Sequence, residues 1–253
     1  RRHYDLLVSF QQFSSDWFAD FEKSRKSDGL ILLGYGDFEE LERRTADLQR
    51  SDTHSIRWGA HHPLQSGVAV GCDNVSGGRR ITEHLIGLGR RRIAFVGDIS
   101  ARSPEFRDRY LGYGAALHAA GLPVEPGLRI DAGISEALSG CHATEALLKT
   151  GQPFDAIVAA SDQIAIAAQR ALHAAGLRVP DDVAVVGFDD IPLADLMTPA
   201  LTTMRQDTDR AGELLVANLL KQINGQTVES VTLDAELVVR ESCGAALPRT
   251  DSH

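Results

Sequence analysis

The stretch "VAVVGFDD", Val183 to Asp190, carries no polar side chain until its last two residues. A run so uniformly apolar predicts a strand buried on both faces, because a half-exposed strand would alternate apolar with polar. Comparable runs recur along the chain at "YDLLVSF" (Tyr4 to Phe10), "GLILLG" (Gly29 to Gly34), "SIRW", "GVAVGC", "RIAFVGD" (Arg92 to Asp98) and "DAIVAAS" (Asp155 to Ser161). Helical patterns fall between them, most clearly at "GGRRITEHLIGLG", "YLGYGAALHAAG", "DQIAIAAQRALHAAG" and "DRAGELLVANLLKQING". Strands that are apolar on both faces need helices on both sides, which predicts an α/β fold of parallel, doubly wound sheets. The segment "ALHAAGL" occurs at Ala116 to Leu122 and again at Ala171 to Leu177, and each copy reads as a helix stopped by a glycine with an apolar residue packing back beyond it.

Composition narrows the functional classes. At 253 residues and 43% hydrophobic content, the chain can bury one sizeable core or two small ones. Its formal net charge of −9 repels phosphate backbones and anionic lipid, so this chain by itself is not expected to hold DNA or a membrane. Cys72, Cys141 and Cys243 fit no metal or redox spacing and read as reduced thiols of a cytoplasmic protein. No apolar run reaches the length of a membrane span, and "RRHYDLLVSF" lacks the apolar core of a signal peptide. The closing "PRTDSH" reads as a frayed tail.

Most catalytic motifs fail on inspection. Gly34 and Gly36 follow a strand, but Glu39 stands where a dinucleotide fingerprint needs its third glycine. Ser161 is on no G-x-S-x-G elbow, and the adjacent His61 and His62 do not aim at one metal. No cofactor is expected. Neighbouring carboxylates in an extended segment point to opposite faces, so Asp189 and Asp190 make a poor proton-sharing pair. What remains is positional. Ligands of open parallel sheets bind beyond the carboxyl ends of the strands, where Asp98, Ser161, Asp162, Asp189 and Asp190 are expected. "SPEFRDRY" adds Arg107 and Arg109 nearby. An arginine converging with carboxylates and hydroxyls suits a small polyhydroxylated ligand. Asp162 has an equally good reading as a helix-start residue.

The segments "CDNVSGGRRITEHLIGLGRRRIAFVGD", "RYLGYGAALHAAGL", "FDAIVAASDQIAIAAQRALHAAGLRVPDDVAVVGFDDIPLADLMTPALTTMRQD" and "AELVVRESC" resemble the LacI/GalR family of bacterial transcription regulators. The resemblance covers Asp73 to Cys243 almost continuously and implies a periplasmic-binding-protein-like fold: two doubly wound subdomains joined by three crossovers, with an effector cleft between them. It divides the chain into residues 1–72 with 206–229 and residues 73–205 with 230–247. It puts a cleft arginine at Arg109, a ligand-facing strand tip at Ser161 with Asp162 beside it, a cleft aspartate at Asp189, and Gln206 with Asp207 at the rim. Trp58, beside Arg57, stands where the family often has aspartate or arginine; its indole either stacks on a sugar ring or simply packs.

The resemblance also implies a helix-turn-helix headpiece, and a first strand and helix, upstream of "YDLLVSF". A doubly wound sheet of order 2-1-3-4-5 places that first strand centrally, so its absence here predicts a fragment. The expected function is effector sensing and dimerisation in a LacI-type transcriptional repressor, with a sugar-like ligand, a homodimer, and operator DNA reached only through the headpiece. The helix "GGRRITEHLIGLG" is the expected dimer surface. A transporter's solute-binding protein is the alternative, and an enzyme using Asp189 and Asp162 as acid and base has little support. Asp189 is expected to accept bonds from ligand hydroxyls opposite Arg109, and Asp190 to bond local backbone N–H groups near Pro192.

Overall fold

The computed structural model describes residues 4–8, 27–33, 38–51, 53–60, 65–133 and 138–245. They form two sheets. The smaller runs in the order β1 (Leu30–Leu33), β2 (Ser55–Trp58), β3 (Val68–Cys72), β9 (Val231–Leu233), with every pair parallel. The larger runs in the order β10 (Glu236–Val238), β8 (Thr202–Arg205), β7 (Ala184–Asp189), β6 (Ala156–Ala159), β4 (Ile93–Val96), β5 (Arg129–Ile130). Only β10 runs antiparallel to its neighbour. Helices α1 (Phe38–Arg50) and α7 (Thr208–Ile223) cover the small sheet, and α2 (Asn74–Gly87), α3 (Pro104–Ala119), α4 (Ser139–Lys149), α5 (Asp162–Ala174) and the short α6 (Pro192–Leu196) belong to the large one. This is the expected α/β, doubly wound architecture.

Period-two alternation splits the small lobe's core. Ile56 and Val70 meet Ala211, Leu215 and Leu219 of α7 on one face, while Leu32 meets Leu41 and Leu48 of α1 on the other. In the large sheet β4 and β6 are buried throughout and β7 up to Phe188, and their side chains share one continuous core. The repeated "ALHAAGL" does what its pattern predicts: Leu122 N donates to Leu117 O at 2.9 Å and Leu177 N to Leu172 O at 3.0 Å, closing both helix ends.

Two expectations need correction. "YDLLVSF" is not a strand where it is described: Tyr4 to Val8 lie outside any ladder, with Leu6 82% exposed. Ser9 and Phe10 lie outside the described residues, as do Gly34, Gly36, His61, His62 and the "PRTDSH" tail. An extended run becomes a strand only by pairing, and among the described residues no ladder reaches this one. The final crossing also falls later than residue 230. Val231, Thr232 and Leu233 pair with Val70, Gly71 and Cys72, and Asp73 N donates to Leu233 O at 2.8 Å, so the chain leaves the small sheet only at Asp234.

Candidate ligand-binding cleft

The three crossings between the sheets run through Asp73, through Gln206 and Asp207, and through Asp234 and Ala235. Asp73 caps α2 by accepting from Ser76 N, and Asp207 caps α7 by accepting from Arg210 N. Each crossing therefore stops a strand and starts or redirects the next element within a residue or two.

Arg109 is set by helix packing. A Cβ on Gly78 would lie 2.2 Å from Arg109 O, and one on Gly112 would lie 2.1 Å from Val75 O, so only glycines let α2 and α3 approach this closely. The arginine side chain is buried. Its Nε donates to Asn74 Oδ1 at 2.8 Å and its Nη1 to Ala160 O at 2.5 Å, while Nη2 stands 3.3 Å from Asp189 Oδ1. The guanidinium carbon lies 3.7 Å from the Phe188 ring centroid. A planar cation so held is fixed in place beside Asp189.

Asp189 and Asp190 take φ values of 117° and 55°, a strained region for residues with a Cβ. The chain turns here instead of extending, so the turn parts the two side chains in place of strand alternation. Asp189 accepts from Gln206 Nε2 at 2.7 Å and faces Arg109; burial pushes its carboxyl up, against the pull of both partners. Arg109 is thus its neighbour and ion-pair partner, not a donor on the opposite wall. Asp190 does not bond local amides. It accepts from Arg205 Nε and Arg240 Nη1, both at 2.7 Å. Burial alone would raise its carboxyl, but the two guanidiniums outweigh it and hold the group below its ordinary value.

Ser161 caps α5, its Oγ accepting from Ile164 N at 3.4 Å. Asp162 is fully buried, with Thr203 Oγ1 donating to Oδ1 at 2.5 Å and Ile191 N to Oδ2 at 2.9 Å. Burial pushes its carboxyl to about 7. With one bond to each oxygen and no exposed surface, Asp162 holds the β7–α6 turn from beneath and here presents no face to the expected ligand. Trp58 packs partly buried against the Ile56–Val70–Leu215 cluster, on the face away from Arg57. The structure therefore brings Arg109, Asp189 and Gln206 together, sets Ser161 beside them next to Ala160, and leaves Asp162 below and Trp58 in the small lobe's core.

Glu105 was missed. It follows Pro104 in the first turn of α3, where an acidic residue reads as ordinary helix chemistry. Its Oε1 accepts from Ala60 N of the small lobe at 2.9 Å, joining the two lobes across the cleft, and its charge acts on both Arg57 and Asp189. Arg57, within β2, is buried, donating to Ala60 O at 3.0 Å and Gln65 Oε1 at 2.6 Å. Beside Asp189 and Gln206 opens a pocket of about 450 Å³, edged by Asp207, Asp209, Asp234 and Glu236. Among the described residues no group of three His, Cys, Asp or Glu is placed to hold a metal, and no helix is long and apolar enough to cross a membrane.

Residues 82–243 match the model of the periplasmic binding protein-like domain. The transcriptional regulator CelR of Thermobifida fusca is 40% identical over 178 residues, covering 68% of this chain and 51% of that protein. The chain belongs to the LacI family. A second relative of this family, the ribose operon repressor of Escherichia coli K12, is 36% identical over 218 residues, covering 86% of this chain and 64% of its own length. Among solved structures, the CelR–cellobiose complex superposes with a TM-score of 0.80 at 33% identity, over 90% of this chain and 71% of that one. A LacI-family regulatory protein from Chloroflexus aggregans also reaches 0.80, at 29% identity over 90% of this chain and 80% of that one. The chain thus spans between about half and just under two thirds of the length of the curated relatives.

Proposed function

We propose that this LacI-family chain is the effector-binding and dimerisation region of a transcriptional repressor that binds a small sugar-like ligand between its lobes. The observation that carries the reading is the Arg109–Asp189–Gln206 constellation at the mouth of the cleft, between lobes joined by three crossings. An ionised carboxylate accepts hydroxyl donors, and the planar guanidinium beside it orders the site for a polyhydroxylated ligand. Relatives that carry sugar names, the ribose repressor and the cellobiose-bound CelR, support the same ligand class.

A ligand touching both lobes favours the closed cleft and shifts the equilibrium by its differential affinity for that state. Closure then moves the small lobes of a dimer and, with them, DNA-reading elements that must fit half-sites about one duplex turn apart. Such a regulator works in the cytoplasm, on operator DNA. The dimer has support from a groove of about 780 Å³ between α5 and the segment that follows α6, where Ile166, Leu177, Val179 and Met197 lie among Arg170, His173 and Arg178. The face expected for that role, α2, is instead packed against α3, with Gly77 under Phe188 and Gly78 against Arg109. Ile81 and Leu85 of this helix are consumed within the monomer, while Val75 and the capping Leu88 stay exposed.

Thermal melts of this chain with ribose, cellobiose and related neutral sugars test the ligand. A sugar that binds raises the melting temperature with concentration, by about 2.7 kcal/mol of apparent stability at one hundred times Kd. A flat response across the panel refutes the ligand class. Sedimentation as a monomer at micromolar concentration refutes the dimer.

A further inference from the structure

Glu105 puts an ionisable group at the junction of the two lobes, where its charge acts on Asp189. Its carboxylate hangs from the large lobe and reaches Ala60 N of the small lobe at 2.9 Å. The cations nearby are already committed. Arg109 is shared among Asn74, Ala160 O and Asp189, and Arg57 is buried against Ala60 O, Gln65 and Glu42. At the rim, Arg205 is tied between Asp190 and Glu236, while Asp207, Asp209 and Asp234 line the pocket that Asp189 and Gln206 also edge. A ligand entering here meets acceptors and negative charge, with guanidinium donors largely spent.

We infer that Glu105 sets the charge class of the effector: the cleft takes an uncharged saccharide and rejects the phosphorylated or carboxylated counterpart. This rests on the saccharide reading above and narrows it. Sugar hydroxyls donate to Glu105 and Asp189 and satisfy groups that can only accept. A phosphate or carboxylate offers mainly acceptors of its own, and brings like charge into a partly enclosed site where screening is weak.

Titration calorimetry on the full chain tests this with two matched pairs, ribose against ribose 5-phosphate and cellobiose against cellobionate. The neutral member of the pair that binds should be at least about tenfold tighter than its anionic partner. Raising salt from about 20 to about 500 mM should narrow that ratio several-fold, a measurement that needs no variant. Glu105→Gln should cut the ratio by about tenfold, whereas Glu83→Gln, on the exposed side of α2, should leave it unchanged. Equal binding of the anionic and neutral members, a ratio indifferent to salt, or one unmoved in Glu105→Gln would each overturn the inference alone. Anionic and neutral sugars all failing to bind would overturn the saccharide reading itself, and the inference with it.

Discussion

The two lobes use the same strand–helix logic but are held differently. The large lobe buries β4, β6 and most of β7 into one core continuous from Cys72 to Cys243, with the rings of Phe95, Tyr110 and Tyr113 in mutual contact at centroid distances of 5.1–5.6 Å, Phe95 edge-on to Tyr110. The small lobe divides its apolar residues between two faces, neither holding more than a handful of buried side chains. Leu33 of β1, paired on one side only among the described residues, is 70% exposed. Burial supplies most of the driving force, so local opening should cost much less in the small lobe. Amide exchange should run faster in β1 and β2 than in β4, β6 and β7. Equal protection in both lobes would break the comparison.

The largest mutational effect should come from Phe95→Ala, which empties a fully buried site in the continuous core and should cost about 3–5 kcal/mol. Its signature is loss of exchange protection throughout the large lobe. Leu48→Ala, equally buried but in a detached cluster, should speed exchange in α1 and β1 alone.

A pH dependence of a few kcal/mol should follow from Asp162, which lies in the large lobe. Its folded-state carboxyl is raised to about 7 from an ordinary value of 3.8, so the folded state binds the proton more tightly than the unfolded chain. The contribution is complete below about pH 4, is lost as pH climbs to about 7, and is constant beyond. The difference in melts between wild type and Asp162→Asn should slope across that window, and a flat difference would sink the assignment.

Asp189→Asn should weaken effector binding roughly ten- to a hundredfold, about 1.5–3 kcal/mol, since it removes one charge-assisted acceptor. Calorimetry on this variant with the sugar that binds wild type checks it, and an unchanged Kd would remove Asp189 from the site. The smallest effects separate the lobes most sharply. Asp73→Ala uncaps α2 of the large lobe and Asp207→Ala uncaps α7 of the small one, each at about 1 kcal/mol. Exchange should quicken in the large lobe for the first and in the small lobe for the second. Identical profiles for the two variants would mean that the lobes open as one unit.

Much of this was legible in the sequence because it is local. Unbroken apolar runs mark strands covered on both faces, and the paired "ALHAAGL" segments mark helix ends, since periodicity and backbone capping depend on neighbours a few residues away. Arg109, Ser161 and Asp189 could be placed near one sheet edge because parallel strands deliver their tips to the same end, whereas Gln206 was placed only by the family resemblance. The sequence by itself thus determined the α/β architecture and which strand tips would meet. Only the tertiary structure decided what those side chains do there. Asp162 and Asp189 are both aspartates at strand tips, yet one is sealed beneath Thr203 and Ile191 and the other opens toward the cleft. Asp190 found Arg205 and Arg240, far along the chain, and Glu105 found Ala60 across the lobes. Burial and charge pairing depend on what folds against a residue from elsewhere, and local pattern carries no record of that.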